Sequence, residues 1–229
     1  MGEAKKHLHY VPRSIKEQMW ILKQLFPGQV NQAPSGLQLK LALAFSNMSI
    51  LESVALEGVF VVPRWERIAS SYAKATEKVL DLLKKTRHLR NCRDGKILNY
   101  LKRNKDTEKL IGKIVEKNGM SDFDVVVIPA QTGILYQGKS FYQAKEKFLP
   151  DEFGLGIFEV ACILLTHPER LCEENHLRIL CADDYSVSPK GGKCNHIMYF
   201  GIQDGLLQCG RKSKDFASGL YGLASGIAY

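Results

Sequence analysis

Two hydrophobic periods alternate along the chain, and their order sets the expected fold. Ser14 followed by Glu17 is a capping-box pattern, and Ile15, Met19, Leu22 and Phe26 then recur at helical spacing until Pro27-Gly28 ends the run. After a polar bridge over 31–36, Leu37, Leu39, Leu41, Leu43 and Phe45 alternate with period two, which predicts a strand; Gly58 to Val62, closed by Pro63, predicts a shorter one. From Trp65 the helical period returns. Trp65, Ile68, Tyr72, Val79 and Leu83 line one side with Lys74, Lys78, Asp81 and Lys85 opposite, predicting a helix of about six turns. Residues 91–95 interrupt it, a basic helix is expected over Ile97–Arg103, and another from about Thr107 to Lys117 with Asp106 as N-cap and Gly119 past its end.

The most site-like part of the chain follows, over 122–209. Val125 to Ile128 is continuous β-branched sequence, as in a strand covered on both faces. Ser140 with Gln143 forms a second capping box, opening a helix that ends before Pro150. Residues 156–165 are apolar nearly all round and predict a core helix, and Thr166 with Glu169 caps the next short one. Leu177 to Ala182 reads as a strand; His196–Ile202 and Leu206–Gly210, joined by Gln203-Asp204-Gly205, read as a hairpin. The Gly-, Ala- and Ser-rich tail from Ser218 is either a loose end or a segment using glycine for close backbone approach. The expected fold is a single α/β domain over 1–229. It has a mixed sheet of about six strands, flanking helices and a basic helical section at about 65–118.

Composition narrows the setting. A chain of 229 residues with 45% hydrophobic content is ordinary for one folded domain. The first residues have no apolar leader core, and no apolar run reaches the roughly 18 residues that span a bilayer, so a cytoplasmic protein without a membrane partner is expected. Six cysteines without C-x-x-C spacing predict reduced, mostly buried thiols; a metal site from Cys194, His196 and Cys209 is the alternative, and no metal is assigned. The net charge of +8 is unevenly spread: residues 1–121 carry 22 basic against 11 acidic side chains, residues 122–229 carry 10 against 13. The excess peaks between Lys84 and Lys117, where Arg87, Arg90, Arg93, Lys96, Lys102 and Arg103 are candidate contacts to a nucleic acid or other polyanion. Tyr100 is the one aromatic among them, a poor stacking platform.

Residues 133–140, Gly133-Ile-Leu-Tyr-Gln-Gly138-Lys139-Ser140, match G-x-x-x-x-G-K-[ST]. In a P-loop nucleotide-binding protein such a turn wraps phosphates with backbone amides, the lysine neutralises charge, and the hydroxyl ligates magnesium. On that reading ATP or GTP with magnesium is the cofactor, held by Gly133, Gly138, Lys139 and Ser140, with Asp183 as second metal ligand. Bulky Ile134, Leu135 and Tyr136, the spacer 129–132 and the few strands after Ser140 argue against it; Ser140 then simply caps a helix. Glu159, a carboxylate in an apolar helix, is a candidate general acid or a first-turn partner of the helix dipole. His167 is a candidate base beside Glu159 or Asp183, and Asp183-Asp184 stands at a strand's carboxyl end, where α/β folds place sites.

The blocks VVVIPAQTGILYQGKS (125–140), FGLGIFEVACILLTHPERL (153–171) and CADDYS (181–186) resemble an uncharacterised family of bacterial open reading frames, over about the second half of the chain. In that family arginine also occupies the position of Lys139, which cuts against a Walker-type lysine, and a glycine often stands at the position of Ala182. The resemblance brings no activity and assigns no functional residue. Three readings stand: a non-enzymatic polyanion-binding protein, an enzyme acting on a nucleotide or phosphorylated substrate through 133–140 and Asp183, and an interaction scaffold.

Overall fold

The computed structural model describes residues 10–31, 56–91, 101–117, 119–183, 185–186 and 195–228. The strand expected over 37–45 lies outside the described residues. Helix α1 (Ile15–Leu25) starts at the Ser14–Glu17 capping box and buries Ile15, Met19 and Leu22. Its Gln18 is fully buried. The amide donates to the carbonyls of Arg13 and Val59 and accepts from the Val61 amide, so it serves the outer edge of β1 (Gly58–Pro63) as a neighbouring strand would.

The long helix expected from Trp65 is two: α2 (Trp65–Ile68) and α3 (Tyr72–Arg87). The break falls at Ala69–Ser71, where Ser71 Oγ accepts from the Lys74 amide and recaps the chain. The short strand β2 (Arg90–Asn91) follows. Where a helix was expected over 97–103, Leu101–Lys102 instead form strand β3. Helix α4 (Lys105–Lys117) begins earlier than expected, because the side chain of Asn104 accepts from the Asp106 amide.

Strand β4 (Val125–Gln131) is buried along its whole length, as its unbroken apolar sequence predicts. Then come the short helix α5 (Phe141–Lys145), β5 (Glu152–Gly154), α6 (Ile157–Thr166), β6 (Arg178–Cys181) and β7 (Tyr185–Ser186). The hairpin of β8 (His196–Gln203) and β9 (Leu206–Ser213) turns through Asp204 (φ 53°) and Gly205 (φ 70°), two left-handed residues that match the twist of the strands. Between α6 and β6, Thr166 does not cap the 3-10 turn Pro168–Leu171; its hydroxyl bonds back to the carbonyls of Cys162 and Ile163.

Among the described residues, the single mixed sheet expected from the sequence is two sheets and a small ribbon. One sheet is antiparallel with order β1-β4-β11-β5; the other is mixed with order β10-β6-β8-β9-β2; β3 pairs with β7. The tail supplies a strand to each: β10 (Tyr221–Leu223) lies parallel to β6, and β11 (Ser225–Ile227) lies between β4 and β5. The chain changes sheet at Ala224, whose amide donates to Leu180 and whose carbonyl accepts from Leu155. Glycine is required where this tail crosses the 133 loop, since a Cβ on Gly222 would lie 2.0 Å from the Gly133 carbonyl oxygen. The two sheets share one apolar core, into which all ten residues of α6 are buried. Among the described residues no helix is long and apolar enough to cross a membrane.

Candidate functional site

The fold brings three of the sequence candidates into one buried cluster at the start of α6. The Gly156 amide donates to Glu159 Oε2 at 3.1 Å, which turns the carboxylate back over the helix N-terminus. Tyr72 of α3 donates to the same oxygen at 3.3 Å, and Arg103, just before α4, donates to Oε1 at 2.6 Å. Arg103 also faces Asp183, beyond β6, with Nε 3.6 Å from Oδ2, and its guanidinium lies over the Tyr72 ring at 5.3 Å. The Arg103, Glu159 and Asp183 side chains are 9%, 2% and 0% exposed.

This arrangement corrects two expectations. Arg103 is a buried ion-pair partner of two carboxylates, not a surface contact for a polyanion. Glu159 has both oxygens engaged by protein donors, so it braces the junction of α3, α4 and α6 and is not presented as a proton donor or acceptor. A second cation attends Asp183: burial lowers the Lys145 pKa, while the charges of Asp183, Glu152 and Asp106 pull it back up.

His167 is not part of this cluster. Glu159 lies in the first turn of α6 and His167 just past its last, roughly 12 Å apart along the axis at 1.5 Å per residue. There Nε2 accepts from the Arg13 amide at 2.9 Å, Nδ1 meets the Thr166 hydroxyl at 2.9 Å, and the ring packs edge-on to Phe60 and Tyr10. Burial, aided by the Arg13 charge, brings its pKa down to about 4, so it is neutral near pH 7. It is a structural histidine.

Beside it runs a network that the sequence reading missed. Glu57 Oε1 accepts from the Thr132 amide at 2.7 Å; Oε2 accepts from the Thr132 hydroxyl, from Tyr10 at 3.2 Å and from Arg170 at 3.3 Å. Burial and the Glu57 charge push the Tyr10 hydroxyl pKa well up. Glu57 reaches Thr132 because its amide extends the β1–β4 ladder to Ala130, a pairing with no local signature.

The loop 133–140 does not form a phosphate cradle. The amides of Gly133 and Leu135 donate to the Gln131 side chain, Tyr136 to Gly133, Gln137 to Ile134, Gly138 to Tyr221, Lys139 to Tyr136 and Ser140 to Gln143. Those donors are turned inward, which leaves no ring of amides for an anion. Gly133 (φ 127°) and Gly138 (φ 76°) make turns around a 3-10 segment, and Ser140 Oγ caps α5 by accepting from the Gln143 amide. The two expected magnesium ligands are thereby committed elsewhere, Ser140 to a cap and Asp183 to Arg103.

Lys139 itself points to a different chemistry. The Lys147 ammonium beside it lowers the Lys139 pKa, a like-charge approach at the surface. Around this pair, Lys214 lies over Phe141 at 4.8 Å, Lys212 over Phe216 at 4.8 Å and Tyr221 at 5.5 Å, and Arg178 over Tyr221 at 5.2 Å. These side chains border the apolar cluster of Tyr136, Ala144, Ile197, Tyr199 and Tyr221 that packs α5 on the outer face of the second sheet, where the Phe141 amide donates to the Lys214 carbonyl. Glycines keep that face flat: a Cβ on Gly210 would meet the Tyr199 ring at 2.7 Å. The sequence separates α5 from β9 by some sixty residues, and only the sheet brings their cations and aromatics together.

Of the other polyanion candidates, Arg90 is exposed on β2, whose partner is β9. Arg87 is half-buried and donates to the Leu171 carbonyl at 2.5 Å. Lys102 is in β3 with its side chain outside the described structure, and Arg93 and Lys96 lie outside the described residues. Cys162, Cys181 and Cys209 are buried, whereas Cys172 is exposed. Cys194 is outside the described residues, and His196 and Cys209 share no site: His196 pairs with Ser213, four residues or roughly 13 Å along β9 from Cys209. No known family model, curated protein or solved structure matches this chain.

Proposed function

We propose that the chain is a polyanion-binding protein that takes single-stranded nucleic acid on the face carrying Lys139, Lys147, Lys212 and Lys214. The observation that carries this reading is the gathering of cations over aromatic rings on that face, Lys212 over Phe216 and Tyr221 and Lys214 over Phe141, with Lys139 and Lys147 beside them. The Lys147 charge lowers the Lys139 pKa, so the two ammonium groups repel one another, and an anion laid across them would relieve the repulsion. The surrounding rings add a second property. Phe141 and Phe216 are half-buried beneath lysines, and Tyr142 is 47% exposed beside them, so phosphate contacts and base stacking are available on one surface. Lys139 would then meet phosphate as a surface cation, without the amide cradle that its motif suggested. Arg90, on the strand beside β9, extends the positive charge along the same sheet.

Fluorescence anisotropy with a labelled oligo-dT of about a dozen nucleotides tests this. If about five phosphates are neutralised, affinity falls about a hundredfold between ~50 and ~200 mM salt. The Lys139→Glu/Lys147→Glu variant should weaken binding at least tenfold, and Tyr142→Ala should weaken an oligonucleotide more than heparin, which has no bases to stack. Salt-insensitive binding, no binding at low salt, or equal binding by the lysine variant would contradict the proposal.

A further inference from the structure

A cavity of about 330 Å³ opens on the far side of the Arg103–Glu159 pair, between α2, α4 and the ends of β1 and β4. Its volume corresponds to about ten water molecules at ~30 Å³ each, room for a ligand of about a dozen heavy atoms. Trp65 and Phe158 provide aromatic walls and Ile111 and Val115 aliphatic ones. The charges that line it are Glu66, Glu108, Glu116 and Glu159 against Arg64 and Arg103, an excess of carboxylates.

The two guanidiniums are already engaged. Arg103 is held by Glu159 and Asp183, and Arg64 approaches Glu66 at 4.0 Å and donates to the Ser121 carbonyl. Among the described residues that line the cavity, Glu108 and Glu116 remain, both exposed and two turns apart on α4 with Gly112 between them. Gly112 sits in the middle of a helix, where glycine costs about 1 kcal/mol against alanine. No packing among the described residues demands it, since none of them lies within 4 Å of the Cβ it lacks. Its effect is to leave the mouth of the cavity open between the two carboxylates. On the wall, Trp65 Nε1 is buried and has no hydrogen-bond acceptor among the described residues, so a ligand oxygen there would satisfy it.

We infer that this cavity is a binding site for a small organic cation: an ammonium group on an aromatic body, seated against Trp65 and Phe158 with its charge between Glu108 and Glu116. The ring faces and the carboxylates attract the same charge, which makes cations the favoured class over anions of the same shape. The site is independent of the lysine face and of any polyanion bound there.

Tyramine and 3-(4-hydroxyphenyl)propionate share a phenol body and carry opposite charges, and the Trp65 indole N–H resonance reports on the wall directly. Tyramine should shift that resonance saturably while leaving exposed Trp20 unmoved, and the propionate should bind at least tenfold more weakly. Glu108→Gln with Glu116→Gln should bring the two probes to within about threefold of each other. Gly112→Leu, which fills the mouth while favouring the helix, should abolish the shift in a protein that still folds. Equal or tighter binding of the propionate, no shift with either probe, carboxylate variants that keep the preference, or undiminished binding by Gly112→Leu would overturn the inference.

Discussion

The start of α6 and the outer face of the second sheet both gather charged side chains around aromatic rings, and they do so in opposite ways. At the start of α6 Arg103 stands between Glu159 and Asp183 over the Tyr72 ring, nearly out of reach of water. On the sheet face Lys139 feels the charge of Lys147, and Lys212 and Lys214 lie over further rings. A buried charge survives only if opposed, and Arg103 opposes both carboxylates, so the first cluster acts on the fold. In the proposed reading, a like-charged surface group tolerates its own repulsion in water and an anionic partner would relieve it, so the second cluster is the one proposed to act on other molecules.

The largest effect should come from breaking the first cluster. Arg103→Met strands two buried carboxylates and should cost roughly 3–5 kcal/mol in denaturant unfolding. Adding Glu159→Gln and Asp183→Asn should restore most of it; a loss below about 1 kcal/mol for Arg103→Met would mean that the cluster does not hold the fold.

The interior also carries a titration that the lysine face does not share. The unfolded His167 pKa is about 6.5 and the folded one about 4, so between those values the unfolded chain binds more protons and stability falls as pH falls. The loss should be on the order of 3 kcal/mol by pH 4 and should be absent from that window in His167→Gln. A stability curve that is the same in the two proteins would show that folding does not lower the His167 pKa.

Charge changes on the sheet face should instead leave folding nearly untouched. Lys139→Glu/Lys147→Glu should keep stability within about 0.5 kcal/mol while reducing oligonucleotide affinity at least tenfold. Lys147→Ala alone should let the Lys139 pKa rise toward its ordinary value, readable from the lysine side-chain NMR signal. The smallest effect sharpens the contrast from the cavity side: Gly112→Ala should stabilise α4 by up to about 1 kcal/mol, because the position is helical and uncrowded.

Local signals carried much of the fold. The Ser14–Glu17 and Ser140–Gln143 capping boxes form, the Asp204-Gly205 turn joins the expected hairpin, and the β-branched run at 125–128 lies in the buried strand it predicts. Each of these depends on residues within a few positions of one another. What escaped depends on pairing across the chain. Tyr221–Leu223 and Ser225–Ile227 look like loose tail, yet they take one strand position in each sheet and turn one expected sheet into two. Counting charge along the sequence placed Arg103 with its basic neighbours, since nothing nearby in sequence announces Glu159 or Asp183. The same count overlooked α5 and β9, where Glu146 and Asp215 dilute lysines that the sheet later brings together.

Lysine acetylation footprinting with and without oligonucleotide compares the two basic surfaces in one experiment and tests the central claim most directly. The account predicts protection of Lys139, Lys147, Lys212 and Lys214, with Lys84, Lys85 and Lys113 on the helices modified at unchanged rates. Protection confined to the helical lysines, with the sheet face still reactive, would contradict it.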